Sequence, residues 1–352
     1  MSKRVLMNGN EAVAEGAIRG GCDCYFGYPI TPQNELTAYM AMHMPRHGRV
    51  FVQAESEVAA INMVYGAAGA GVRAMTSSSS PGVSLKQEGL SYIAGAELPM
   101  VIVNVQRGGP GLGNIDPSQG DYFQAVKGGG HGDYRLIVLA PDSVQEMHDF
   151  TADAFDLADR YRNPVMILAD GRLGQMMEPL ILRTREPERV EKPWALTGAR
   201  GREKNIIRSY FSVDGVLEKR NEALQTKYRR IADAETRVDP YLMDDAELML
   251  VAYGTCARLA KAVARDCRAA GIRAGVLRPV SLWPYPTEAL RSYLDRVKNI
   301  LVVEMSAGQM VEDVRLAVEG AVPVHFHGRM GGGVPTTADI RAKADEITGR
   351  AR

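Results

Sequence analysis

Apolar runs of strand length alternate with helical periods over the first half of the chain. Residues 24–26, 50–53, 74–77, 100–105, 136–139 and 164–168 are short and apolar and read as strands. Residues 11–18, 35–43, 58–69, 85–94 and 144–158 carry small or apolar side chains at i, i+3 and i+4, the spacing of one helix face. Strands alternating with helices predict an α/β domain built on a doubly wound parallel sheet, with ligands beyond the carboxyl ends of its strands. Residues 186–244 break the rhythm with a charged opening, Pro193, Gly198, Gly201 and one polar helix candidate at 215–232. That segment reads as a linker, or as an arm lying on a partner. A second alternation follows, with strands expected at 248–252, 274–277, 300–303 and 323–326 and helices at 258–270, 287–297 and 310–318. The chain therefore divides into a first domain at 1–185, a linking arm at 186–244 and a second, smaller α/β domain at 245–352.

Length agrees with two cores, since 352 residues exceed a usual single domain. Lys and Arg together number 42 and so do Asp and Glu, which leaves no net field to attract nucleic acid or anionic lipid. The apolar runs are too short for a membrane span and the first residues lack an apolar targeting core, so the expectation is a soluble, cytoplasmic protein. Cys22, Cys24, Cys256 and Cys267 form no C-x-x-C pair and have no histidine at zinc-finger spacing. A cubane cluster needs four thiolates close together, and these fall in two expected domains. They read as ordinary reduced thiols, so iron–sulfur clusters that serve this chain would sit on another subunit.

Candidate chemistry gathers where expected strands end. Gly27-Tyr28-Pro29-Ile30-Thr31-Pro32 follows the first of them. Pro29 and Pro32 fix φ and disfavour αR in the preceding residue, which makes a rigid turn with Pro32 suited to the first helical position and Thr31 to the N-cap. Taken alone this is an ordinary strand-to-helix corner. In Gln53-Ala54-Glu55-Ser56-Glu57, Ser56 or Glu55 can cap the next helix, and one carboxylate suits its dipole. Two glutamates exceed that need. Glu57 opens a helix of small residues that permits close packing, and a partly buried carboxylate there can share a proton with a ligand nitrogen, as activation of an aminopyrimidine requires.

The glycine- and serine-rich turns at 77–82 and 107–113 also follow strands. Neither fits G-x-x-x-x-G-K-[ST], and the second fails G-x-G-x-x-G because Asn114 stands at its last position. Arg107 can grip a small carboxylate with its planar fork, or can be a plain surface arginine. His131 lies in the glycine-rich loop 128–134, where an imidazole can act as acid or base or simply bond to Asp133.

Taken together, Tyr28-Pro29-Ile30-Thr31-Pro32, Glu55-Ser56-Glu57, Gln106-Arg107-Gly108-Gly109-Pro110, Gln119-Gly120-Asp121 and His131-Gly132-Asp133-Tyr134 resemble the α subunits of 2-oxoacid:ferredoxin oxidoreductases. The resemblance continues through residues 277–286 and 303–310 and so covers essentially the whole chain. Each motif alone is weak; five in order are specific. The resemblance implies a pyrimidine-binding thiamine-enzyme domain followed by a transketolase C-terminal-like domain. It also implies oxidative decarboxylation of a 2-oxoacid to acyl-coenzyme A and carbon dioxide, with electrons passed to ferredoxin. By position in the motifs, Glu57 would bond N1′ of thiamine diphosphate, and Pro29, Ile30 and Thr31 would line that cofactor. Thr31 and Arg107 would contact the substrate's keto and carboxylate groups, with His131 a further candidate.

The same resemblance places Mg2+ and the diphosphate on a partner β subunit. Ala169-Asp170-Gly171 agrees, because it lacks the preceding Gly and the later Asn of a magnesium–diphosphate anchor, and no metal site is expected in this chain. Iron–sulfur clusters would sit on other subunits, γ or ferredoxin-like δ chains among them. Residues 109–119 and the triple glycine 128–130 look most like the 2-oxoisovalerate, branched-chain branch, with the 2-oxoglutarate branch next. Two other readings stay open: a subunit of a lipoyl-linked 2-oxoacid dehydrogenase, against which the Tyr28-to-Pro32 motif argues, and a structural α/β subunit without catalytic groups.

Overall fold

A computed structural model describes residues 4–350, so the outermost residues of the two expected domains, 1–3 and 351–352, lie outside the described part. The chain opens with β1 (Arg4–Asn8), α1 (Gly9–Arg19), β2 (Cys24–Gly27), α2 (Asn34–His43), β3 (Val50–Gln53), α3 (Glu57–Gly69), β4 (Ala74–Ser78), α4 (Ser80–Leu85), α5 (Gln87–Gly95) and β5 (Met100–Gln106). It continues through β6 (Ile137–Leu139), α6 (Val144–Tyr161), β7 (Pro164–Asp170), α7 (Gly171–Gln175), β8 (Met177–Ile181) and α8 (Val216–Glu235). The last part holds β9 (Val238–Tyr241), β10 (Leu248–Val251), α9 (Gly254–Ala269), β11 (Ala274–Pro279), β12 (Ser281–Trp283), α10 (Thr287–Arg291), β13 (Asn299–Glu304), α11 (Met310–Val318), β14 (Val324–Gly328) and α12 (Thr337–Ile347).

Seven strands form one sheet in the order β12-β6-β7-β5-β4-β2-β3, parallel except for β12, which runs antiparallel to β6. β5 and β7 are buried along their whole length, as a parallel sheet covered on both faces requires. A five-stranded sheet, β14-β13-β10-β11-β9, is parallel apart from its edge strand β9. β1 and β8 make a separate antiparallel pair. The doubly wound α/β architecture is thus the one that the alternation predicts. β2 leads to its neighbour β3 on one side, whereas β4 leads to β5 on the other, so a crevice opens between the carboxyl ends of β2 and β4.

Several elements differ from those the pattern predicts. The helix expected at 85–94 is two helices: α4 already starts at Ser80, with Pro81 in its first turn where the missing N–H is harmless, and the chain bends at Lys86. The helix expected from Pro32 with Thr31 as cap begins instead at Asn34. Gln33 stands before it with its side chain bonded to Ser77 and Thr37, which holds the turn open for two more residues. The helix expected at 287–297 keeps only Thr287–Arg291, because the next turns close from Tyr293 to Leu290 and from Leu294 to Arg291. Within the expected arm, α8 packs Leu224, Tyr228 and Ile231 into the core of the first sheet, and β9 joins the second sheet. Periodicity cannot show β9, which reads Val-Asp-Pro-Tyr, or the three-residue β12. α12 also lies outside the prediction, although Thr336 and Asp339 form its capping box.

Candidate active site

Loops after β2, β3, β4 and β5 converge at the crevice. Below the first lies a buried polar network, in which the Tyr25 hydroxyl is 2.6 Å from Ser77 Oγ and 3.1 Å from Thr37 Oγ1. Ser77 Oγ donates to Gln33 Oε1 at 2.6 Å, so the network ties the loop after β2 to β4 and α2. Above it, Pro29 is exposed and Ile30 and Thr31 are half-buried. The Thr31 hydroxyl accepts from Asn34 Nδ2 at 3.1 Å.

The two glutamates after β3 separate cleanly. Ser56 caps α3 by accepting the Ala59 N–H at 3.1 Å, Glu55 is exposed, and Glu57 is only 6% exposed. Capping does not explain Glu57. Among the described residues its carboxylate accepts no hydrogen bond; the one side chain that bonds it, Lys86, donates to its main-chain carbonyl at 3.3 Å. Glu57 Oε1 lies against Gly82, where an added Cβ would sit 2.5 Å from Oε1 and 2.1 Å from Ser78 Oγ. The Ser78 and Ser79 hydroxyls are buried with no partner. Each buried polar group left unpaired costs about 1–3 kcal/mol until a ligand satisfies it. A bare glycine, an unpaired carboxylate and an unpaired hydroxyl at one place fit a flat nitrogen heterocycle that hydrogen-bonds to the carboxylate.

Lys86 is fully buried, and its Nζ also lies 3.1 Å from Thr76 Oγ1. Burial pulls its pKa down to about 8, opposed by the Glu57 charge. Arg107, at the end of β5, is 8% exposed and so is no surface arginine. Its Nη1 donates to the Thr31 carbonyl at 3.0 Å and Nη2 to the Leu112 carbonyl at 2.9 Å, while Nε is buried without a partner. Arg107 lines a cavity of about 460 Å3 with Ser80, Ser84 and Asp121 from the first unit and Ser306 and Gln309 from the second. Asp121 accepts from Ser80 Oγ at 2.6 Å and Asn104 Nδ2 at 2.9 Å. Burial pushes the Asp121 carboxyl above the usual carboxylate range, and those two bonds pull it back in part. Periodicity does not single out Lys86, and Asp121 shows in the sequence only as part of the Gln119-Gly120-Asp121 motif.

The crevice thus brings Arg107 onto the Thr31 main chain and sets Glu57 behind Gly82, but it does not gather His131. His131 is exposed and lines a different cavity with Tyr92, Tyr210, Phe211 and Arg220; its carbonyl accepts from Ser91 Oγ at 2.7 Å. Asp170 is committed elsewhere. One oxygen caps α7 through the Arg172 and Leu173 N–H groups and takes the Thr255 hydroxyl at 2.8 Å, and the other takes the Thr255 N–H at 3.1 Å. Gln119 ties the two units together by exchanging bonds with the Met305 main chain at 2.8 and 2.9 Å, and Gln309 bonds both Gly120 and Phe123. The Gln119-Gly120-Asp121 motif and residues 303–310 are therefore two sides of one seam.

Residues 15–235 match the family described as pyruvate flavodoxin/ferredoxin oxidoreductase, thiamine-diphosphate-binding. Fold and crevice are accordingly those of a thiamine-diphosphate-binding oxidoreductase domain. Residues 246–340 match the pyruvate:ferredoxin oxidoreductase core domain II. The chain is 54% identical over 345 residues to the ketoisovalerate oxidoreductase subunit VorB of Methanothermobacter marburgensis, covering 98% of each. To the 2-oxoglutarate synthase subunit KorA of Archaeoglobus fulgidus it is 41% identical over 315 residues, covering 88% of this chain and 90% of that one. A solved 2-oxoglutarate:ferredoxin oxidoreductase from Magnetococcus marinus aligns with a TM-score of 0.87 at 27% identity over 98% of this chain, which spans 65% of the length of that one. A split-gene transketolase, at 14% identity and a TM-score of 0.61, shares the fold alone. The chain belongs to the 2-oxoacid:ferredoxin oxidoreductase family of multi-subunit enzymes. Among the described residues no helix is long and apolar enough to cross a membrane.

Proposed function

We propose that this chain is the α subunit of a cytoplasmic ferredoxin oxidoreductase that converts a branched-chain 2-oxoacid, 2-oxoisovalerate above all, and coenzyme A to acyl-coenzyme A and carbon dioxide. The observation that carries the reading is Glu57, a buried carboxylate that opens α3 without a hydrogen-bond partner among the described residues and lies against a glycine. When bound, thiamine diphosphate supplies the nucleophilic carbon and the electron sink that decarboxylation needs. Glu57 holds the pyrimidine N1′ and shares its proton, and the Pro29-Ile30-Thr31 turn supports the ring. Arg107 holds the 2-oxoacid carboxylate through the N–H donors it does not spend on the Thr31 and Leu112 carbonyls.

Mg2+ and the diphosphate belong to a partner β subunit on this reading, because Asp170 is already spent on α7 and Thr255. Iron–sulfur clusters belong to further γ or ferredoxin-like δ subunits, since the four cysteines here are free and three are buried. Preference for a branched substrate rests on the 54% identity to two subunits named for ketoisovalerate. Four named for 2-oxoglutarate synthase reach only 35% to 41%.

The test is viologen-dye reduction by the complex assembled with its partner subunits, with 2-oxoisovalerate and 2-oxoglutarate compared. Glu57→Gln should leave assembly intact and lower turnover about a thousandfold, the loss of roughly 4 kcal/mol of transition-state stabilisation. Glu55→Gln should cost much less, and the reverse order would assign the role to the wrong carboxylate. Activity with lipoamide but not with viologen would instead favour the lipoyl-linked reading.

A further inference from the structure

Lys86 stands at the bend between α4 and α5 with its side chain fully buried. Its ammonium carries three N–H bonds. Two of them meet neutral acceptors, the Glu57 carbonyl at 3.3 Å and Thr76 Oγ1 at 3.1 Å. Among the described residues it has no ion-pair partner, and Glu57 is the charge that acts on it. A buried ammonium without a direct counter-ion works against folding. A methionine of similar length would fill the same slot without that penalty. Packing therefore does not account for a lysine here.

Its position suggests what does. Nζ grips the main chain of the very residue whose carboxylate is left free, and it does so in a dry interior where charge acts strongly at short range. We propose that Lys86 is a positioning residue, whose buried ammonium anchors the first residue of α3 and by its charge sets the strength of the hydrogen bond that Glu57 makes to the pyrimidine nitrogen of thiamine diphosphate. Lys86 itself touches neither substrate nor cofactor. The proposal rests on the reading of Glu57 given above.

The experiment uses the assembled complex carrying Lys86→Met, with Glu57→Gln alongside. The direct readout is the rate of hydrogen–deuterium exchange at C2 of bound thiamine diphosphate without substrate, since that exchange depends on the Glu57 bond and not on electron transfer. Lys86→Met should slow exchange and kcat together by about tenfold. KM for the 2-oxoacid should hold and the melting temperature should stay level or rise. Unchanged exchange and kcat in Lys86→Met, with Glu57→Gln inactive, would overturn the role of Lys86 and leave that of Glu57 standing. Full exchange in Glu57→Gln would overturn both. Lys86→Gln repeats the measurement with a polar neutral side chain, and failure of both variants to assemble would assign Lys86 to packing and overturn the proposal.

Discussion

Arg107 spends two of its nitrogens on the Thr31 and Leu112 carbonyls and keeps Nε unpaired in a buried site. A lysine keeps the charge but cannot reach both carbonyls and a ligand at once, because its donors radiate from one atom. Arg107→Lys should therefore raise KM for the 2-oxoacid about tenfold, roughly 1.4 kcal/mol, and leave KM for coenzyme A where it was. Steady-state kinetics with each substrate varied in turn checks this, and the opposite pattern would make Arg107 a coenzyme A contact. At this scale much was legible in the chain itself. Ser56 can take the cap and one glutamate is then surplus, an inference from spacing that the exposed Glu55 and buried Glu57 agree with. Lys86 was not legible and Asp121 was legible only as part of the Gln119-Gly120-Asp121 motif, since the partners that bury them, Thr76 and Asn104 among them, lie on other elements. Thr31 missed its expected cap for the same reason, as Gln33 is held by Ser77 from another strand.

Among elements, the short helix α4 matters more than its length suggests, because its Gly82 lets β4 and the start of α3 approach. Alanine there gains about 1 kcal/mol of helix propensity, yet its methyl would collide with Ser78 Oγ and Glu57 Oε1. Gly82→Ala should leave the complex folded and weaken thiamine diphosphate binding by about tenfold or more, as a titration of the apo complex would show. Gly66→Ala is the control, for among the described residues nothing beyond its chain neighbours and its own helix backbone lies within 4 Å of its missing Cβ. Undiminished binding in Gly82→Ala would mean that the heterocycle does not sit against Glu57. The long strands and helices around the crevice were readable within about three residues because each carries an apolar face or run of its own. The short ones were not: β9 and β12 exist only through the strands they pair with, β11 and β6.

On the scale of the whole molecule, this chain on the proposed reading brings the pyrimidine side of a site, and magnesium and the diphosphate fall to a partner subunit. Purified alone, it should bind thiamine diphosphate poorly and show no turnover, while co-expression with the partner subunits restores both; robust activity of the single chain would overturn the divided site. The seam through Gln119, Gln309 and Asp170 was visible in sequence only as motifs, and its meaning as an interface emerged once the two sheets were side by side. β12 carries this further. It follows β11 of the second sheet in the chain, yet it completes the first sheet by pairing with β6. A hybrid made by joining two relatives near residue 245 would thus trade away a strand of the half it meant to keep. The β6 edge would be closed by the other parent's strand, and a poor fit there would expose that edge to another chain. The two halves cannot be shuffled as cassettes, and a lineage that swaps one must carry the other with it.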